Sequence, residues 1–125
     1  MTGSRGLGVI TPSRIAAERV MADLRNGVLL DVAIDRAAGA LDARDRRWLQ
    51  ELVFGTLRRR GWLDAVLEAR VRGGLVRLHP GVADLLRIGA EQLLFMNSVP
   101  AYAAIAQTVE QVKSLHGEGA GKLAN

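Results

Sequence analysis

Six arginines concentrate the chemistry of this chain. Arg44, Arg46 and Arg47 fall at the start of one segment, and Arg58, Arg59 and Arg60 at its end. Guanidinium groups are planar, permanently charged donors whose paired N–H bonds match phosphate oxygens. Placed on a helix, residues 45–58 put Trp48, Leu49, Leu52, Val53, Thr56 and Leu57 on one side. Arg44, Arg47, Glu51 and Arg58 fall on the other. The first set, at i, i+3, i+4 spacing, is a packing face. The second is a line of cations that a phosphate backbone could meet. A solvated structural face is the competing reading. Cations at a helix C-terminus favour the macrodipole by about 0.3–1 kcal/mol, which accounts for Arg58–Arg60 without function. Arg46 and Arg47 sit at the unfavourable end, and a pairing of Arg47 with Glu51 is worth only about 0.2–0.5 kcal/mol. Clustering therefore favours the phosphate-contacting face.

Other chemistries find less support. Gly117–Lys122 suggests a phosphate loop, but His116 stands where the first glycine is required. Leu123 also replaces the Ser or Thr, and no strand precedes the segment. Gly3, Gly6 and Gly8 follow no strand and make no dinucleotide fingerprint. His79 and His116 have no partners at ligand spacing, and both read as structural or exposed. Asp84 and Glu91, seven residues apart without a histidine, are not a credible metal site. The chain has no cysteine, which excludes disulfides, thiolate metal sites and thiol nucleophiles. No nucleophile, base and orienting group assemble. Phe54 falls on the polar side of the arginine-bearing helix, where it could stack on a base, and a covering helix is the commoner outcome.

These residues need a scaffold, and 125 residues at 49% hydrophobic content suffice for one domain with a true core. Aromatics are only 4%. Net charge is +4, and of 17 basic residues only Lys113 and Lys122 are lysine. A GC-rich genome could produce that bias, so the clustering of charge weighs more than its amount. No window approaches the roughly 18 apolar residues of a membrane span, and no secretory signal opens the chain, which points to the cytoplasm.

The pattern predicts an all-α bundle of about six helices. Residues 1–11 are glycine-rich and polar and read as a disordered tail. Thr11-Pro12-Ser13 opens a first helix with Ile15, Ala16, Val20 and Leu24 inward, ended by Asn26-Gly27. A short second helix from Leu29 to about Ala40 turns Val32, Ala33 and Ala37 inward. Asp42 or Asp45 caps the third, which reaches about Arg60 before Gly61 breaks it. The fourth, from Trp62 to Val71, packs through Leu63, Val66 and Leu67. The fifth starts at Pro80 and contributes Val82, Leu85, Leu86, Leu93 and Leu94, with Gly89 and Ala90 admitting a neighbouring backbone. The sixth runs from Pro100 to about Leu115 on Ala101, Ile105, Thr108, Val109 and Val112. Residues 116–121 read as a loop, and Lys122–Asn125 as the opening of another helix.

Four segments in order resemble a known family. Asp45-Arg46-Arg47 with Glu51-Leu52-Val53-Phe54-Gly55-Thr56-Leu57-Arg58 is the first, and Leu85 to Phe95 (LLRIGAEQLLF) the second. Val99-Pro100 with Ala104, Val109 and Glu110 is the third, and Gly121 to Asn125 the fourth. Together they resemble the helical RNA-binding domain shared by the NusB antitermination factor and the N-terminal part of RsmB-type ribosomal RNA cytosine-5 methyltransferases, over roughly residues 13–125. The Leu-Val-Phe-Gly-Thr-Leu-Arg run and the Leu-Leu-Phe-Met…Val-Pro turn look closer to the methyltransferase branch.

That resemblance implies a domain, residues 12–125, that holds 16S ribosomal RNA while a separate C-terminal domain transfers methyl from S-adenosylmethionine. It adds Arg14 to the RNA-binding set, because the family uses the start of the first helix for RNA contact. It implies no cofactor within this chain, which also lacks the two cysteines of the methyl-transfer chemistry, and a last helix that is mostly missing. The partners it implies are ribosomal RNA and either a methyltransferase domain or a ribosomal protein. The last would apply to the alternative, a free-standing NusB-type factor in transcription antitermination.

Overall fold

In the computed structural model, residues 9–116 are described, and they form six α-helices: α1 Pro12–Arg25, α2 Leu30–Ala38, α3 Ala43–Arg58, α4 Arg60–Arg70, α5 Pro80–Phe95 and α6 Ala101–His116. A short 3₁₀ turn, Leu75–Arg77, joins α4 to α5. The all-α expectation holds. The glycine-rich segment Gly117–Lys122, the start of a further helix and most of the N-terminal tail lie outside the described residues.

Local chemistry sets the helix ends. Pro12 and Pro80 occupy first-turn positions where a missing N–H costs nothing. The Asp42 carboxylate accepts the Asp45 N–H at 2.8 Å and caps α3. His79 Nδ1 accepts the Gly81 N–H at 3.0 Å at the start of α5. Gly27, at φ 87°, reverses the chain after α1, a conformation L side chains rarely adopt. The break between α3 and α4 falls at Arg59, with Gly61 inside the first turn of α4. The expected glycine break is thus an arginine bend.

Helix α5 is central. It packs on α1, α3, α4 and α6, and Gly81–Gly89 is buried without interruption. One core joins Ala17, Val20 and Met21 of α1, Ala33 and Ile34 of α2, and Leu49, Leu52 and Val53 of α3 to Ile88 of α5. A second groups Val82, Leu85 and Leu86 with Val112 of α6, covered by Leu67, Val71 and Leu78. The packing face expected on α3 is present. Several other stripes are rotated: Ile15, Val32, Leu93, Leu94 and Ile105 are exposed large apolar residues, and Ala101 is also exposed. Ala17, Met21, Ile34 and Ala38 take the inward places instead. Ala17 and Ala38 let the backbones approach closely, while Met21 and Ile34 fill the space between the helices.

The interior is not purely aliphatic. Arg14, Asp84, Arg87, Glu91, Gln92, Gln107 and Gln111 are all buried, and nearly every polar atom among them is paired, as burial demands. Gln111 Nε2 donates to the Arg14 carbonyl and to Glu18 Oε1, both at 3.1 Å. Gln107 Nε2 donates to the Val9 carbonyl at 2.8 Å, while its Oε1 accepts the Thr11 N–H at 3.0 Å. These bonds bolt α1 to α6. A chain of ion pairs ties α1, α5 and α4: Arg25 to Asp84 at 2.6 Å, Asp84 to Arg87 at 2.9 Å, and Arg87 to Asp64 at 2.6 Å.

Candidate nucleic-acid interface

The start of α3 opens onto a cleft of about 710 Å³. Arg44 and Arg47 line it, one turn apart, with Trp48, Glu51, Asp42 and Asp45. Thr11, Pro12, Ser13 and Arg14 contribute the first turn of α1, and Ser98, Val99, Pro100 and Ala103 the entry to α6. Three helix N-termini therefore converge on one cleft. Each carries roughly half a positive charge from its aligned peptide dipoles, and such ends are natural anion sites. Three carboxylates stand among the lining residues; Asp42 is engaged as the α3 cap, and the helix ends offset part of the remainder.

Arg44 and Arg47 are exposed and make no side-chain hydrogen bond or ion pair among the described residues. The Arg47–Glu51 pair available from spacing does not form. Arg14 differs, being only 8% exposed. Its Nε donates to Gln92 Oε1 at 2.8 Å, a terminal nitrogen donates to Thr11 Oγ1 at 3.1 Å, and its guanidinium lies 5.1 Å from the Trp48 ring centroid. Burial lowers the Arg14 pKa from its ordinary value, and the group remains a cation. Arg14 thus forms the floor of the cleft and sets the Trp48 ring, while Arg44 and Arg47 project from the rim.

The remaining arginines divide. Arg46 approaches Asp35 at 3.8 Å across exposed surface, a pairing of little energetic weight. Arg58 is exposed and unpaired among the described residues. Arg59 is tied to Glu91, at 2.5 Å from Oε2. Arg60 reaches Asp64 at 3.9 Å. The second cluster is therefore only partly available. Glu91 is 2% exposed and its Oε1 has no hydrogen-bond partner. Burial raises its pKa, while Arg59 and Arg58 pull it down.

Phe54, for which a covering helix was expected, is 41% exposed. Among the described residues no helix covers it, because α1 and α5 pack on the apolar face of α3. Asp84 and Glu91 are each committed to arginines rather than to a common site. Among the described residues no group of His, Cys, Asp and Glu could hold a metal ion, and no helix is long and apolar enough to cross a membrane. Sequence reasoning missed the convergent helix ends and the Arg14–Trp48 floor. The Thr-Pro, Asp-capped and Val-Pro helix starts were visible, but their meeting in space was not.

The architecture defines an all-helical domain with an arginine-bearing cleft where three helix N-termini meet. The chain belongs to the NusB family, which it matches over residues 11–125. It is similar to the Synechocystis protein named "Probable ribosomal RNA small subunit methyltransferase B", 35% identical over 97 residues, 76% of this chain and 22% of that protein. The ribosomal RNA small subunit methyltransferase B of Vibrio cholerae is 32% identical over 112 residues, 89% of this chain and 26% of that protein. The chain thus spans about a quarter or less of the length of these curated relatives. Its fold is also similar to a chain in the crystal structure of a plectonemic RNA supercoil, with a TM-score of 0.81 and 24% identity, covering 90% of this chain and 86% of that one.

Proposed function

We propose that this chain is an RNA-binding module of a ribosomal RNA (cytosine-5) methyltransferase, holding small-subunit ribosomal RNA. Methyl transfer from S-adenosylmethionine would belong to other parts of the parent protein. The observation that carries this reading is the pair Arg44 and Arg47, exposed and without carboxylate partners at the mouth of a cleft built from three helix N-termini. Membership of the NusB family and the names of the relatives support it. Phosphates would meet the two guanidiniums and the helix ends, with Arg58 extending the contact along α3. Binding of a labelled small-subunit ribosomal RNA fragment, followed by fluorescence anisotropy, tests the reading. The Arg44→Glu/Arg47→Glu variant is expected to lose affinity at least tenfold, and unchanged binding would refute it.

A second reading, a free-standing NusB-type antitermination factor acting with a ribosomal protein, draws on one observation. An apolar groove of about 470 Å³ runs between α4, α5 and α6, lined by Leu67, Leu86, Leu93, Ala104 and Ile105.

A further inference from the structure

Trp62 and Phe95 form an exposed aromatic pair on the same molecule but away from the cleft. Trp62 sits in the first turn of α4 and Phe95 is the last residue of α5. Their ring centroids are 5.3 Å apart and their planes meet at 74°, edge to face. Trp62 is 53% exposed and Phe95 37%. The pair is held rather than loose. The Arg59 guanidinium lies 4.1 Å from the Phe95 centroid, and Arg59 is itself fixed by buried Glu91, one turn before Phe95 on α5. A guanidinium on one ring and an edge-to-face contact on the other hold the indole plane in one orientation.

We propose that Trp62 and Phe95, with Arg58 at the neighbouring end of α3, are a stacking platform for an unpaired base of single-stranded RNA. The composition of the patch selects this occupant. Its rings alternate with guanidiniums, as in surfaces that take bases on aromatic faces and the backbone on cations. Arg59 is neutralised by Glu91, so it serves as a prop for Phe95. Arg58, four residues before Trp62, is exposed and in no ion pair among the described residues; it acts on Glu91 only at longer range and offers its charge to an adjoining phosphate. Phe54, one turn before Arg58 on α3, offers a further exposed ring. Bases inside a duplex present no free face, so the platform discriminates unpaired from paired RNA. This inference rests on the RNA-binding reading and gives that reading a preference for single-stranded segments.

The two tryptophans, Trp48 and Trp62, make the test specific. The difference in tryptophan emission between the parent chain and Trp62→Leu isolates the signal of Trp62. Titration with a 12-nucleotide oligoadenylate is expected to quench that emission, and a blunt RNA duplex of equal length is not. Trp62→Leu, which keeps apolar bulk without a π-face, is expected to weaken oligoadenylate binding about tenfold in anisotropy. Duplex binding should stay unchanged, and Trp62→Tyr should restore the loss. Matching thermal unfolding curves by circular dichroism establish that the variants are folded. Oligoadenylate that binds without quenching Trp62, and equally well to Trp62→Leu, overturns the platform while leaving RNA binding intact. A patch covered instead by a protein partner gives that same result. Failure of any RNA to bind overturns the RNA-binding reading and the platform with it.

Discussion

Gly55 on α3 faces the carboxylate of Glu91 on α5 with no room for a methyl group between them. A Cβ at Gly55 would collide with Glu91 Oε2, with Arg59 close by. The glycine lets the two helices approach with a buried ion pair at their crossing. Glu91 is 2% exposed and cannot swing aside into solvent.

Gly55→Ala is therefore expected to destabilise the domain by about 1–3 kcal/mol. The shift in urea midpoint, with unchanged slope, measures it. A midpoint equal to the parent's would mean that the Glu91 side chain relocates freely.

Asp84 bridges two arginines, Arg25 at 2.6 Å and Arg87 at 2.9 Å, while itself almost wholly buried. Breaking a buried pair leaves an uncompensated charge. Asp84→Ala is expected to cost about 3–5 kcal/mol, read by chemical denaturation. A loss below about 1 kcal/mol would place the network in the class of screened surface pairs.

Arg14 is a strut before it is a contact. Arg14→Ala leaves Gln92 Oε1 buried without its donor, at a cost of about 1–3 kcal/mol. RNA affinity is expected to fall less than in variants of Arg44 or Arg47. Parallel denaturation and anisotropy measurements separate the two effects.

Burial raises the Glu18 pKa above its ordinary value, with the Gln111 hydrogen bond opposing. The folded state then holds the proton more tightly than the unfolded one. Its contribution to stability is full below the ordinary glutamate value of 4.5 and is lost as pH rises through the folded pKa. Glu91 acts in the same sense. Glu18→Gln, which can still accept from Gln111, is expected to flatten that decline, as seen in melting temperatures from pH 4.5 to 7. An unchanged profile would remove Glu18 as its source.

Much of the fold was legible because helix signals are local. The Asp42 cap, Pro12 and Pro80 at helix starts and the α3 packing face all follow from nearest-neighbour chemistry. What failed was the choice between adjacent apolar residues. Ile15 and Ala17 both suit a core, and only the close approach of α1 to its neighbours selects the alanine. The polar part of the interior was hidden for a related reason. The burial of Gln92, Gln107 and Gln111 depends on partners on α1 and on the residues just before it. Pairings across nearly a hundred residues, such as Gln111 to Arg14, leave no mark on spacing. For the candidate interface, sequence marked where cations cluster but not which are free. Arg47 and Arg59 look alike in the chain, and only the position of Glu91 separates them.

Salt dependence probes the proposed contact between guanidinium groups and phosphates. Each phosphate contact contributes about one unit to the slope of log affinity against log salt. The parent chain on a small-subunit ribosomal RNA fragment is expected to show a steep negative slope, and Arg44→Gln/Arg47→Gln to reduce its magnitude by about two. Parallel lines for parent and variant would show that these two arginines do not touch the RNA backbone.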